Sequence, residues 1–221
     1  MILNGKKINF LGDSITQGVG VSDCPLNRYD NVLKKLGALE CTRNYGVSGT
    51  RLACQTGKRP MVYDGKEFYT RAEIMDRDAD VVVVFGGTND YGHGDAPFGT
   101  PTDTTPSTYC GAVNHLMSMI KKDFPNAAVV FMTPMKRTGC DKVCATRVED
   151  GDDARALVEY VDAIIEAAKV HGVHVLDLYR LLPIDPNNEQ QKSLYVPDGL
   201  HPNDLGQHII AEHLYNFLLS L

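Results

Sequence analysis

No stretch of this 221-residue chain approaches the ~20 consecutive apolar residues that a helix needs to cross a bilayer. The N-terminus, MILNGKKINFLGDS, lacks the charged start, long apolar core and small-residue cleavage site of a secretory leader. The expectation is a cytoplasmic protein, or one exported with its leader already removed. Basic residues are fewer than acidic ones, 22 against 28, for a formal net charge of −6. Binding a polyanion through counterion release needs a basic patch, so neither nucleic acid nor an anionic membrane is an expected partner. Internal repeats, low-complexity tracts and linker-like composition are missing as well. One domain over residues 1–221 fits such a chain.

Metal-ligand spacing is the next absence. Cys140 and Cys144 lie close together in TGCDKVCAT, but no further Cys or His stands near enough to complete a zinc site. No metal or organic cofactor is expected. The six cysteines (Cys24, Cys41, Cys54, Cys110, Cys140, Cys144) are read as mostly reduced, with a Cys140–Cys144 bridge as the alternative.

What the chain does have is alternation. Five apolar, β-branched runs stand out: 6–12, 41–47, 80–87, 127–134 and 173–179. The third, with Val81 to Val84 in succession, reads as a central strand covered on both faces. Helical periodicity falls between them, over 27–38, 107–124, 153–172 and from Asn203 to the end. Strands alternating with helices imply βαβ units, and hence a three-layer α/β/α domain of flavodoxin-like type with a five-stranded parallel sheet. Two loops break the pattern, 91–106 after the third strand and 136–153 after the fourth. Both leave the carboxyl edge of the sheet, where open α/β sheets bind ligands.

That edge collects polar groups. FLGDSITQG delivers Ser14 onto a Gly-flanked turn, and YGVSGT follows the second strand with Gly49. GGTND follows the third strand with Asn89, and VPDGLHPNDLG comes late with Asp198 and His201. Taken singly, Asp13 or Ser14 caps a helix, Gly49 allows a turn, Asn89 is a loop residue and His201 lies on the surface. Taken together they are the parts of acyl transfer: nucleophile, base, orienting acid and oxyanion donors.

The four segments, GDSIT, NYGVSGT, GGTND and DGLHP, resemble the ordered blocks of the SGNH hydrolases, also called GDSL esterases/lipases. Ile15 stands where the family name has Leu, apolar for apolar. The resemblance implies Ser14 as nucleophile, His201 as base and Asp198 as its orienting partner. It implies an oxyanion hole from the Ser14 and Gly49 backbone N–H groups and the Asn89 side chain. Asp13, Tyr91 and His93 are the expected substrate contacts. The loop 91–106 is polar and small apart from Tyr91, His93 and Phe98, which suits a short-chain ester, such as an acetylated carbohydrate, better than a long acyl tail. Leu52 or Met61 could build an acyl tunnel, which makes lysophospholipase or thioesterase activity the enzymatic alternative. A non-catalytic flavodoxin-like binding module is the alternative of another class, although GDSITQG lacks the lysine and glycine density of a phosphate-cradling loop.

Overall fold

The computed structural model describes residues 1–57, 66–145 and 153–221. Its strands are β1 (Lys7–Gly12), β2 (Cys41–Gly46), β3 (Val81–Phe85), β4 (Ala128–Met132) and β5 (His174–Leu176). They form one parallel sheet in the order β2-β1-β3-β4-β5. The chain steps from β1 outward to β2, then crosses back to lay β3 on the other side of β1. The strand order therefore reverses between β1 and β3, the position at which open α/β sheets form a crevice.

The helices are α1 (Ser14–Gln17), α2 (Cys24–Asn27), α3 (Tyr29–Gly37), α4 (Phe68–Glu73), α5 (Thr88–His93), α6 (Tyr109–Asp123), α7 (Leu157–His171), α8 (Leu178–Leu181), α9 (Glu189–Tyr195) and α10 (Asp204–Ser220). The run of valines in β3 makes sense once both sheet faces are covered. Val82 and Val84 point into a cluster with Leu116, Met117 and Ile120 of α6 and Val161 and Ile164 of α7. Val81, Val83 and Phe85 point the other way, against Leu33 of α3 and Ile210, Leu214 and Leu218 of α10. Each fully buried aliphatic side chain contributes about 1.5–3 kcal/mol of transfer free energy, so two-sided burial makes β3 the core of the sheet.

Two elements depart from their expected extent. The fifth apolar run supplies only three strand residues, because the Asp177 carboxylate accepts from Arg180 N and starts α8. The first helical stretch divides, with Asp23 capping α2 and a fresh start at Tyr29. Leu36, one of the apolar residues in the helical periodicity of 27–38, is 44% exposed. Met61 and most of the second half of the 136–153 loop lie outside the described residues. All six thiols are free. Among the described residues no helix is long and apolar enough to cross a membrane.

Gln207 ties the C-terminal helix to the N-terminal half of the site. It is fully buried on α10, its Oε1 accepts from Tyr29 N at 3.0 Å, and its Nε2 donates to Ile15 O at 3.1 Å. Gln207→Met keeps the volume but leaves a buried N–H and a buried carbonyl without partners. We expect a loss of roughly 2–5 kcal/mol in urea unfolding. An unchanged midpoint would show that neither bond matters to the packing of α10.

Candidate active site

β1 ends at Gly12, where an added Cβ would overlap the Thr16 side chain, so the chain can turn directly into α1 only through a glycine. Asp13 caps that helix, its carboxylate accepting from Ile15 N at 3.0 Å. Burial pushes the Asp13 carboxyl up to about 6, against the Ile15 N–H and the charges of Arg71 and His201. Asp13 thus serves the turn that carries Ser14.

Ser14, the next residue, is 3% exposed. Its Oγ lies 2.9 Å from His201 Nε2, and His201 Nδ1 lies 2.6 Å from Asp198 Oδ2. A ring nitrogen that close to a carboxylate carries the proton, which leaves Nε2 to accept from the serine hydroxyl. The second Asp198 oxygen accepts from Leu200 N at 2.9 Å and His201 N at 2.7 Å. One carboxylate therefore fixes both the loop and the imidazole. Burial opposes its charge, but the His201 backbone and ring N–H groups and Leu200 N hold the Asp198 carboxyl below the usual carboxylate range.

Gly49 adopts φ +77°, a left-handed conformation that favours glycine. The turn it makes is stitched to α1 on one side, where Val47 N donates to Gly12 O at 3.1 Å and Ser48 N to Gln17 Oε1 at 2.6 Å. On the other side it is stitched to α5. Asn89 is 3% exposed and its Nδ2 donates to Thr50 O at 3.0 Å. A side-chain amide has two N–H groups, so one bond to Thr50 still leaves a donor for an incoming oxygen. Asp90 accepts from Leu52 N and Ala53 N, each at 3.0 Å, and burial pushes its carboxyl up to about 6.

Other expected contacts are placed differently. Tyr91 is 5% exposed, and its hydroxyl sits 3.0 Å from both the Gly139 and Lys142 carbonyls. It anchors the loop after β4. Phe98 stacks on Tyr109 at 5.7 Å and meets Tyr160 edge-on at 5.1 Å. His93 is exposed, with Nδ1 2.6 Å from the Arg51 guanidinium. Leu52 is buried in the core.

Two arginines escaped the sequence reading. Arg137, after β4, donates to Thr88 O at 3.2 Å beside the asparagine block, while Thr138 N donates to Gly199 O at 2.9 Å in the histidine block. Arg71, on α4, is buried beneath the serine and glycine turns. Nothing in FYTRAE distinguishes it from an ordinary solvated helix cation, so no sequence signal marks it.

A model of the GDSL-like lipase/acylhydrolase family matches residues 10–209. A rat protein named isoamyl acetate-hydrolyzing esterase 1 homolog is 30% identical over 142 residues, covering 62% of this chain and 55% of its own length. The chain thus spans about half of that relative. A solved structure of a Lactobacillus plantarum protein, 28% identical, superposes with a TM-score of 0.82 over 99% of this chain and 98% of its own. The lipase/acylhydrolase of Enterococcus faecalis, 18% identical, shares the fold at a TM-score of 0.62 over 97% of this chain and 96% of its own. The chain belongs to the GDSL-like lipase/acylhydrolase family, the SGNH hydrolases.

Proposed function

We propose that this chain is a serine esterase acting on small, short-chain acyl esters through an acyl-enzyme. The observation that carries the reading is the unbroken hydrogen-bonded line from Ser14 Oγ through His201 to Asp198. As Ser14 Oγ attacks the ester carbonyl carbon, its proton moves to His201 Nε2, and Asp198 stabilises the imidazolium. The carbonyl oxygen becomes an oxyanion facing the Ser14 and Gly49 N–H groups and the remaining Asn89 amide N–H. Collapse breaks the ester C–O bond, and the alcohol leaves with the proton from His201. Water then repeats the sequence on the acyl carbon and regenerates Ser14. None of these steps calls on a metal or organic cofactor.

The short acyl preference is supported by two segments that supply little apolar surface for an acyl tunnel. Leu52 packs into the core, and the loop 91–106 offers mainly Gly, Pro, Thr and Asp. Two relatives, human and rat, are named as homologs of an isoamyl acetate-hydrolyzing esterase, and isoamyl acetate is an acetate ester. A carbohydrate ester has less support, because Tyr91 and Phe98, the aromatics suited to stack on a sugar, are committed to internal packing.

Three outcomes test the reading. His201→Ala should keep the fold and lower kcat by roughly 10³-fold or more; near-normal turnover would end the assignment of His201 as base. Asn89→Ala should lower kcat by about 3 kcal/mol of transition-state stabilisation with little change in KM. A rise in KM alone would make Asn89 a substrate-positioning residue. For p-nitrophenyl esters from acetate to decanoate, kcat/KM should be highest at acetate or propionate. A real acyl tunnel would instead gain about 0.8 kcal/mol per buried methylene. An optimum at octanoate or longer would replace this reading with lysophospholipase or thioesterase activity.

A further inference from the structure

Arg71 is a buried cation beside the site that the esterase mechanism does not use. It is 6% exposed, and its guanidinium lies 4.7 Å above the Phe68 ring. Its hydrogen bonds go to acceptors from four separate segments. Nη1 donates to Gly12 O at 2.8 Å, where β1 ends two residues before Ser14, and also to Tyr45 O at the end of β2. Nη2 donates to Thr50 Oγ1 at 2.8 Å, directly after Gly49, and Nε donates to Lys66 O at 2.9 Å. Thr50 is in turn the residue whose carbonyl receives the Asn89 amide at 3.0 Å. One rigid, planar fork thus spans the serine turn, the glycine turn and, through Thr50, the asparagine.

From this geometry we infer that Arg71 is a positioning residue, setting the spacing between the oxyanion donors of Ser14, Gly49 and Asn89. The inference rests on the esterase reading above. The physical reason is geometric. The paired register of β1 and β2 ends at Gly12–Gly46, with one further bond from Val47 N to Gly12 O. Beyond it the two chains diverge, into α1 on one side and the Gly49 turn on the other. The donors sit in the diverging part, where a displacement of about an ångström costs most of an oxyanion hole's effect. A guanidinium is suited to the task because its donors are fixed relative to one another. Lysine offers a single point of attachment on a flexible stem and cannot reproduce the fork. The charge is maintained at neutral pH as well. Burial lowers the Arg71 guanidinium to about 10, with Asp13 and Glu67 acting to raise it, so it stays protonated.

The test separates positioning from plain structural support. Arg71→Met, Arg71→Lys and Thr50→Val are compared with the unaltered chain by kcat and KM on p-nitrophenyl acetate and by the Kd of a small alkyl boronic acid. The boronate adds to Ser14 Oγ and presents a tetrahedral oxyanion. Thr50→Val removes only the acceptor of Nη2 and the Thr50 hydroxyl bond to Val47 O, so it reports even where Arg71→Met fails to fold. We expect kcat to fall about 100-fold in Arg71→Met and about tenfold in Thr50→Val, with KM within about threefold. The boronate Kd should weaken in step with kcat, and Arg71→Lys should recover only part of the loss. Folded Thr50→Val and Arg71→Lys variants with kcat and boronate Kd both within about threefold of the unaltered chain would overturn the inference. So would a loss appearing in KM alone. Absence of both ester hydrolysis and boronate binding in the unaltered chain is a different failure. It would remove the esterase reading, and the inference with it.

Discussion

The contact on which the rest of the structure depends is the 2.9 Å approach of Ser14 Oγ to His201 Nε2. The two residues are 187 positions apart, one after the first strand and the other before the last helix. Bringing them within hydrogen-bond reach requires the parallel sheet, because every β-to-α turn of such a sheet emerges on the same edge. It also requires the chain ends to be pinned to each other. Gln207 does this inside the core, bonding Tyr29 N and Ile15 O. Asp204 does it at the surface, where its carboxylate accepts from the Ser22 N–H at 2.9 Å and from the Ser22 hydroxyl. Both anchors come from the first turn of α10, within six residues of His201.

A second constraint is electrostatic. Asp13 and Asp90 are buried beside the reacting serine and the oxyanion donors, and burial pushes both carboxyls up to about 6. Each is offset by backbone N–H groups, and each directs its oxygens at the segment that it holds. Asp13 caps the turn bearing Ser14, and Asp90 clamps the strand of chain that follows Gly49. Asp198 differs in direction as well as in position. Burial again opposes its charge, yet the His201 and Leu200 N–H groups hold its carboxyl below the usual range. The acid that has to stay ionised beside an imidazolium is the one whose charge is favoured, while the two scaffold acids tolerate a weaker preference.

Much of this was legible in the residues themselves. The five strands fall where the apolar runs predict them, because a β3 of four valines and a phenylalanine fits only a sheet covered on both faces. Ser14, Asn89, Asp198 and His201 could be picked out because each stands at a strand end or in a turn, where a polar residue has no packing duty. The packing of Tyr91 and Phe98 was not legible. A loop rich in Gly, Pro and Thr suggests exposed aromatics, but these two fold back onto Tyr109 and Tyr160 of the core. Arg71 could not be found at all. Its hydrogen bonds go to three carbonyl groups and one hydroxyl, from four segments that meet only in three dimensions, and a helix arginine with apolar neighbours looks the same whether solvated or buried.

The central claim is that Ser14 is made nucleophilic by His201. It is tested most directly by treating the intact protein at neutral pH with a fluorophosphonate and locating the modified residue by peptide mass mapping. The account predicts one stoichiometric adduct, on Ser14, whose formation slows by orders of magnitude when His201 is replaced by Gln. Modification at another serine, or Ser14 labelling at an undiminished rate in His201→Gln, would contradict it.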